Sequence, residues 1–303
     1  ADTMRANWTI SKLKEKHNKP FFLAMGLYTP NTPNYCPQKY FDFYDINNLP
    51  MPNYIADDLE HLPEPAKSER IKRSRLVHEK METLNVVKES IHAYLACMSY
   101  ADAMIGRVLK ALEESPYADN TIVVLWSDHG FHLGEKGHWG KKMLWERTSN
   151  VPFIWAGPKV AKGQSIDATV SLIDMYPTFV EMCGLPSPKQ NLEGLSLAST
   201  LKNPAQAKDR DVYLPHREPN SYAIINSKWR YIKYSNDTEE LYSVLNDPNE
   251  WFNIAGKPEY KAVIESMKAK APKTFTPPGQ QLSKKKSLII EGESFHWKLN
   301  LSK

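Results

Sequence analysis

The chain has 303 residues, of which 41% are hydrophobic and 24% charged, and its formal net charge at pH 7 is +4. This composition is typical of a globular protein with a sizeable core, and the modest charge gives no indication of nucleic-acid binding. No stretch approaches the ~18 apolar residues of a membrane span. Three widely spaced cysteines argue against a disulfide scaffold, although two of them could still form a single disulfide bond.

The first part of the chain predicts two helices, over residues 1–16 and 86–114, and the second keeps its apolar side chains on one face. Between them, residues 21–27 are mostly apolar and predict a buried strand. Residues 28–65 form a long excursion rich in Pro and Asn. A connection of this length is either functional or disordered.

The middle of the chain predicts two strands and a helix. Residues 121–126 carry apolar side chains on both faces, which is typical of a buried parallel strand. A second buried strand is predicted over residues 151–156, and a helix over residues 169–184. These elements indicate an α/β core.

From about Asp211 the apolar pattern becomes that of short strands. Three of them, over residues 222–226, 229–234 and 241–245, are separated by turns of Asn, Ser and Asp. They predict a small antiparallel sheet, with a helix over residues 258–270 on one of its faces.

The chain is thus divided into three parts. Residues 1–205 are predicted to form the α/β core, residues 206–275 the antiparallel subdomain, and residues 276–303 a tail. The run of lysines at 284–286, beside Pro and Gln residues, indicates that the tail is flexible.

The loop after residues 121–126 is the most informative part of the sequence. Asp128 and His129 stand just past the carboxyl end of that strand, where open α/β sheets bind their ligands. A carboxylate beside an imidazole is a natural pair of metal ligands. The cationic side chains that follow suit an oxyanion: Lys136, His138, Lys141 and Lys142.

Two alternatives stand beside this interpretation. The loop could be an ordinary turn with solvated lysines. His129, His132 and His138 could instead form a zinc site, but no His-Glu-x-x-His or paired-Cys motif supports it.

The run Ser-Asp-His-Gly-x-x-Leu-Gly-Glu-x-Gly-x-Trp-x-Lys over residues 127–141, followed by Val-Pro-Phe-Ile at 151–154, resembles the type I sulfatases of the alkaline phosphatase superfamily. The similarity points to the branch of the iduronate-2-sulfatases and choline sulfatases, and it covers most of the chain. It implies an α/β fold like that of alkaline phosphatase: a mostly parallel sheet flanked by helices, with a small C-terminal antiparallel sheet as a subdomain.

The resemblance also implies roles for single residues. Asp128 and His129 take the places of two ligands of the family's Ca²⁺ or, less often, Mg²⁺ ion, and Lys141 that of a lysine which grips the sulfate group. Carboxylate oxygen suits a hard cation and an ammonium suits a sulfate oxygen, whereas imidazole is an unusual calcium ligand. His216 and Arg217 belong to the subdomain that frames the substrate entrance, with a surface His–Arg pair as the alternative.

Two parts of the family's catalytic site are missing from the sequence. These sulfatases attack sulfur with a formylglycine made from a Cys/Ser-x-Pro/Ala-x-Arg motif, and no Cys or Ser of this chain stands in one. The N-terminal Asp-Asp metal pair is also missing, because Asp57 and Asp58 lie in a Pro-rich stretch that we interpret as a loop. We expect the chain to begin partway through a sulfatase and to pair with a separate N-terminal polypeptide or to form a homo-oligomer, since open sheet edges favour association.

The excursion departs from the family as well. Where relatives often carry Lys/Arg-Pro-His near the scissile ester, this chain has Thr29 and Asn31. Asn31 can hydrogen-bond a sulfate oxygen but cannot deliver a proton as an imidazole can. The alternative is that Asn31 sits in a turn, which Asn-x-Pro favours.

Three functional hypotheses follow. The first is part of a sulfatase acting on a sulfated small molecule or glycan, in a periplasmic, secreted or lysosome-like compartment, although no signal peptide opens the chain. The second is a catalytically inactive protein that binds sulfated glycans. The third is a phosphodiesterase or phosphatase of the same superfamily, which would need more Asp and His metal ligands. In each case the chain alone is expected not to hydrolyse sulfate esters.

Overall fold

The computed structural model describes residues 1–55, 57–73, 78–275, 286–291 and 294–299, with the side chains of residues 1–55, 57–69 and 78–275. Its helices are α1 (Asp2–Lys14), α2 (Gln38–Phe41), α3 (Glu64–Arg73), α4 (His78–Thr83), α5 (Val87–Glu113), α6 (Glu146–Ser149), α7 (Met175–Met182), α8 (Ala198–Lys202) and α9 (Lys261–Lys268). Its strands are β1 (Val123–Trp126), β2 (His132–Leu133), β3 (Trp139–Gly140), β4 (Phe153–Ala156), β5 (Val212–Pro215), β6 (Tyr222–Ile225), β7 (Trp229–Lys233), β8 (Glu239–Ser243), β9 (Lys286–Glu291) and β10 (Ser294–Leu299). Among the helices of these ranges, none has the length and apolar character needed to cross a membrane.

Helices α1 and α5 pack against each other and against α2. The contact between them, named here the α1–α5 cluster, contains Ala6, Tyr40, Ala96, Tyr100 and Met104. The hydroxyl oxygens of Thr3 and Tyr100 are hydrogen-bonded at 2.7 Å. Both predicted helices, over residues 1–16 and 86–114, are confirmed to within two residues at each end.

Residues 21–27 run extended beside this cluster but do not form a strand. Odd-numbered side chains of the segment are half-buried and even-numbered ones are exposed, and Met25 and Leu27 pack on the α1–α5 cluster. No backbone hydrogen bond within the described ranges joins the segment to a strand. The predicted buried strand is therefore wrong as a strand, because an extended segment becomes one only beside a neighbour that completes its hydrogen-bond ladder.

Strand β1 pairs with β4 in antiparallel register. Trp155 of β4 is buried against Phe179 of α7, with ring centroids 5.2 Å apart, whereas the adjacent Ile154 points to the opposite face and is 56% exposed. The strand predicted over residues 151–156 is confirmed. The parallel pairing predicted for residues 121–126 is wrong, because apolar residues on both faces indicate burial but not strand direction.

The C-terminal sheet has the order β5-β6-β7-β8 with antiparallel neighbours. Three of its strands were predicted, whereas β5 is short, ends in Pro and was missed. Helix α9 covers one face, and the core between them contains Tyr222, Ile224, Tyr231, Leu241, Ile264 and Met267. The other face packs on Met143, Leu144 and Trp145. The sheet therefore rests directly on the residues that follow the candidate site loop.

Two further predictions concern α7 and the tail. The helix predicted over residues 169–184 is a 3₁₀ turn at Leu172–Asp174 continued by α7, and the backbone N–H of Ser171 donates to the Asp174 carboxylate at 2.8 Å. Strands β9 and β10 pair as an antiparallel hairpin within residues 276–303, which corrects the prediction of a flexible tail for these residues. Lys284 and Lys285 lie outside the described residues.

Candidate functional site

The loop that leaves β1 is fixed by backbone contacts. The Ser127 hydroxyl donates to the carbonyl of His129 at 2.8 Å, and the N–H of Gly130 donates to the carbonyl of Thr148 at 2.8 Å. A Cβ at position 130 would lie 2.1 Å from the carbonyl oxygen of Arg147. Glycine is required here because the backbone of the 147–150 segment occupies the space of a side chain.

His129 and Lys141 are in direct contact. Nζ of Lys141 lies 2.8 Å from Nε2 of His129, and Nδ1 of His129 lies 2.8 Å from the carbonyl oxygen of Gly130. A carbonyl oxygen only accepts, so Nδ1 carries the ring hydrogen and the lone pair of Nε2 accepts from the lysine. The structure thus joins two of the predicted site residues through one nitrogen.

Asp128 stands at the open side of the pair. Its Oδ1 is 3.7 Å from Nε2 of His129, and its side chain is 76% exposed. Lys141 and His129 are half-buried. Asp128, His129 and Lys141, named here the β1-end cluster, therefore present one carboxylate, one imidazole and one ammonium at an accessible surface.

The β1-end cluster does not form a complete cation site. Ca²⁺ takes about 6–8 oxygen ligands, and the cluster offers one carboxylate and one imidazole. No group of three or more His, Cys, Asp or Glu side chains suited to a metal is found in the part of the chain that the structure describes. The residues present therefore do not by themselves fit the cation that the family resemblance implies, and the zinc alternative finds no support either.

Two histidines that follow the β1-end cluster in the chain, His132 and His138, lie in the protein interior. The rings of His132 and His138 are buried and meet edge to face, with centroids 5.3 Å apart. The hydroxyl oxygen of Thr148 lies 2.9 Å from Nδ1 of His132. Burial, helped by the nearby cationic side chains, lowers the pKa of His132 well below its ordinary value, so this ring is neutral.

Lys136, predicted among the cations for an oxyanion, is a structural residue. It is buried, its Nζ lies 3.1 Å from Oδ1 of Asp58, and its backbone N–H donates to Oδ2 of Asp58 at 2.8 Å. Nζ also donates to the carbonyl of Glu250. The lysine is thus held by both of these partners, and the hypothesis that it serves an anion is wrong. Asp58 lies in a turn, as predicted, but is buried in this ion pair.

Beneath the loop lies a buried network that the sequence did not reveal. Arg230 of β7 forms ion pairs with Glu250 and Glu146, and donates to the carbonyl of Leu144 at 3.0 Å. Burial raises the pKa of Glu250 to about 7, against the opposing effect of Arg230 and Lys136. The only available signal was a charged residue inside the apolar pattern of a strand, as at Arg230.

Asn31 lies in a turn of the excursion. Its N–H donates to the carbonyl of Tyr28 at 3.0 Å, and its side-chain oxygen accepts from the N–H of Thr32 at 2.9 Å. Thr29 is buried, and its hydroxyl donates to the Asp2 carboxylate at 2.8 Å. Within the described ranges no hydrogen bond links Asn31 to the β1-end cluster. These contacts favour the turn interpretation of Asn31.

His216 and Arg217 directly follow β5. His216 lines an open cavity of about 410 Å³, together with Glu64, Ser68, Glu69, Glu218, Ser235 and Asn236. Its Nδ1 accepts from the N–H of Glu218 at 3.3 Å. Arg217 is exposed. No residue of the β1-end cluster lines this cavity.

Comparison with protein families gives two matches. The model described as "Sulfatase" matches residues 3–185, and the model described as "N-sulphoglucosamine sulphohydrolase, C-terminal" matches residues 134–275. A curated protein of Formosa agariphila, described as "Sulfatase", is 40% identical over 275 residues, which are 90% of this chain and 54% of that protein. The chain spans about half the length of the curated relatives it matches.

Solved structures share the fold. A protein in complex with its substrate D-glucosamine-2-N,6-O-disulfate superposes with a TM-score of 0.74 at 24% identity, over 89% of this chain and 68% of its own. A phosphonate monoester hydrolase of Silicibacter pomeroyi gives a TM-score of 0.75 at 21% identity, over 89% of this chain and 58% of its own. At such identities these likenesses establish the fold alone.

Proposed function

Because the chain belongs to the sulfatase family, we propose that it is part of an enzyme that hydrolyses sulfate esters, with sulfated carbohydrates as the substrate class. The observation that carries the proposal is the contact between Lys141 and His129 at the carboxyl end of β1. It sets an ammonium group, suited to a sulfate oxygen, beside two donors suited to a cation.

In this proposal Lys141 binds an oxygen of the sulfate group, and Asp128 and His129 are two ligands of a Ca²⁺ or Mg²⁺ ion. When bound, such an ion would offset the negative charge that grows on the sulfate oxygens. The remaining ligands and the formylglycine nucleophile would come from a second polypeptide or from a part of the protein outside this chain. The half-length match to the curated relatives supports this division.

Two segments without a further strand partner among the described residues suit the completing part. Tyr117 lies near the start of both residues 21–27 and β1, since its ring is 5.2 Å from that of Phe21 and its carbonyl accepts from the hydroxyl of Thr121, two residues before β1, at 2.7 Å. Along the chain each segment then leads to a candidate site residue, Asn31 or Asp128. Phe22, in the first segment, is 80% exposed. We propose that strands of the completing part pair with both segments and restore the mostly parallel sheet of the family.

The proposed contacts to the carbohydrate are Asn31, His216 and Arg217. Because His216 lines a cavity separate from the β1-end cluster, it would contact a sugar ring and not the sulfate under attack. The exposed Arg217, next to His216 in the chain, would likewise contact the sugar and not the sulfate under attack. The compartment that we propose is periplasmic, secreted or lysosome-like.

Two other functions compete with this one. The phosphonate monoester hydrolase shares the fold, and Lys141 would also suit a phosphonate oxygen. The lack of a nucleophile motif, with Thr29 and Asn31 in the excursion, suits a protein that binds sulfated glycans without chemistry. The greater identity to a curated sulfatase favours the first proposal.

The test measures hydrolysis of an aryl sulfate and of an aryl phosphonate monoester. The purified chain is assayed alone and mixed with a polypeptide that carries the formylglycine motif and the Asp pair of a relative. We expect no turnover by the chain alone and sulfate turnover by the mixture. Lys141→Gln should lower that turnover about 100-fold or more, whereas Lys142→Gln, an exposed neighbour, should leave it near the unmodified value.

Three outcomes contradict the proposal. Turnover by the chain alone would show that no second part is needed. Preference of the mixture for the phosphonate would favour the hydrolase of the competing class. Formation of a stable complex that binds sulfated glucosamine but turns over neither ester would favour the binding protein.

A further inference from the structure

Two of the three cysteines meet between the excursion and α5. Cys36, just before α2, is half-buried, and Cys97, in α5, is fully buried. Each thiol lies near enough to the other to affect its pKa. The third, Cys183, is exposed at the end of α7. Cys36 packs against the α1–α5 cluster, whose members Ala96 and Tyr100 lie on the same helix as Cys97, and two thiols held this near each other are candidates for a disulfide.

Both thiols are held from more than one side. Cys36 packs against the α1–α5 cluster, to which Cys97 is adjacent in sequence through Ala96. The side chain of Asn34 lies near Cys97 and acts to lower the pKa of that thiol, and its Nδ2 donates to the carbonyl of Pro30 at 2.8 Å. The segment that carries Cys36 is thus fitted onto α5 around the sulfur pair.

We propose that Cys36 and Cys97 form a disulfide, a covalent site that ties the excursion to α5 under oxidising conditions. The turn that holds Asn31 lies between two anchors, Thr29 bound to Asp2 and this sulfur pair. Closing the bond would fix the second anchor covalently. The site is independent of the β1-end cluster and of the proposed hydrolysis.

The reaction is a thiol–disulfide exchange with an oxidised dithiol of the compartment, for which oxidised glutathione is the probe. The Cys36 thiolate attacks one sulfur of glutathione disulfide, and one glutathione thiolate leaves and takes a proton. The Cys97 thiolate then attacks the Cys36 sulfur, the new bond forms, and a second glutathione thiolate leaves. Two thiols are oxidised and one glutathione disulfide is reduced to two glutathione thiols.

The order of attack follows from exposure and acidity. Burial raises the pKa of both thiols, that of Cys97 to about 12. The neighbouring Cys97 thiol partly offsets this effect on Cys36, whose pKa is still raised overall. Because Cys36 is also the more exposed thiol, it is the first to react, and the rate rises with pH.

The test uses the full chain with Cys183→Ser, which removes the exposed thiol and leaves the pair. The folded protein is incubated with oxidised glutathione, and the reaction is quenched with acid. The protein is then denatured and treated with N-ethylmaleimide, and its intact mass is measured by mass spectrometry. We expect no maleimide on the oxidised protein, a mass lower by two hydrogen atoms, and a crosslinked peptide that contains Cys36 and Cys97. After reduction, two maleimides should be added. Amide hydrogen exchange of residues 28–36 should slow on oxidation and recover on reduction.

Two matched variants complete the design. With Cys97→Ser added, Cys36 should keep its glutathione as a mixed disulfide, because the second thiol is gone. With Cys36→Ser added, no adduct should form on the buried Cys97. Two maleimides on the glutathione-treated Cys183→Ser protein, a lasting glutathione adduct, or a disulfide between two chains would overturn the proposal.

Discussion

Nζ of Lys141 lies 2.8 Å from Nε2 of His129. Because Nδ1 carries the ring hydrogen, Nε2 is the ring nitrogen whose lone pair could bind a cation. In this arrangement the lysine occupies the position from which His129 would bind a metal ion. Under the proposed function, sulfate binding by Lys141 and metal binding by His129 would therefore be linked at one atom, because the ammonium group must leave Nε2 before a cation can bind there.

This linkage makes metal affinity sensitive to Lys141. Replacing it with Gln removes a unit charge that repels a cation at Nε2, and a unit charge about 4 Å from a divalent ion interacts with it by about 2 kcal/mol in water, or about 30-fold in Kd. We expect Lys141→Gln to bind Mn²⁺ about 30-fold more tightly, measured by water-proton relaxation. Asp128→Asn should weaken binding and Lys142→Gln should leave it unchanged. Equal affinity of the Lys141 variant and the unmodified chain would refute the linkage.

The ion pair of Lys136 and Asp58 should dominate the stability of the site loop. Removing one partner of a buried pair leaves an unpaired charge and costs about 3–5 kcal/mol. We expect a loss of that size for Asp58→Asn in urea unfolding, and a smaller loss for the double variant Asp58→Leu with Lys136→Met, which leaves no charge behind. Asp57→Asn, at a half-exposed neighbour, is the matched control and should change the free energy of unfolding little. If Asp58→Asn lowers the free energy of unfolding no more than the control does, the ion pair does not stabilise the site loop as predicted.

Glu250 should make stability fall as pH rises. Its folded pKa of about 7 lies above the ordinary value of 4.5, so between these values the unfolded state releases a proton that the folded state keeps. The unfolded state then binds fewer protons, and the free energy of unfolding decreases over this window and levels off above it. His132 has the opposite effect below its ordinary pKa, because its folded pKa is lowered, and it acts equally in both proteins. The free energy of unfolding of the unmodified chain minus that of Glu250→Gln, measured in urea, should therefore decrease across the window. Parallel curves for the two proteins would contradict the prediction.

A side chain at Gly130 should lower the free energy of unfolding and disturb the site loop. In Gly130→Ala the new Cβ would meet the Arg147 carbonyl, and relief of such a clash costs about 1–3 kcal/mol. We expect this loss in urea unfolding, together with exchange broadening or shifts of the His129 ring signals in NMR. Gly26→Ala is the control, since a Cβ there meets no atom within 4 Å. Unchanged His129 signals would mean that the 147–150 segment yields without disturbing the loop.

The open edges should drive self-association of the isolated chain. Phe22 and Ile154 expose large apolar side chains beside edges that lack a strand partner among the described residues. Sedimentation velocity should show less association for Phe22→Ser and Ile154→Ser than for the unmodified chain. Leu245→Ser removes a similarly exposed apolar side chain from the turn after β8 and should have no such effect. Equal sedimentation of all four proteins would show that the edges are inert.

Local pattern was sufficient for much of the fold. The 27-residue helix α5 and the hairpins of the C-terminal sheet were predictable because period and turn residues are written into adjacent positions. The motif at 127–141 likewise indicated the sulfatase family, to which the chain belongs, and an α/β fold, which solved structures share. The direction of pairing of β1 was not predictable from its apolar pattern, since the parallel strand expected at 121–126 is antiparallel to β4.

Long-range charge pairing was also beyond local pattern. Lys136 is 78 residues from Asp58, and nothing in the sequence around either residue marks it as a partner of the other. The same is true of Arg230 and Glu146, which lie 84 residues apart. A lysine in a loop beside a metal-like motif was therefore assigned to an anion, although the fold uses it to hold the loop in place.

Lys136 also has a consequence for the order in which the site can form. Its ammonium group donates to the carbonyl of Glu250, 114 residues further along the chain. During synthesis, which proceeds from the N-terminus, the loop that carries Lys141 leaves the ribosome long before that acceptor exists. The loop can reach its final geometry only after the C-terminal sheet has been synthesised. Lys141, which is proposed to bind sulfate, is therefore among the last residues of this chain to reach its final position.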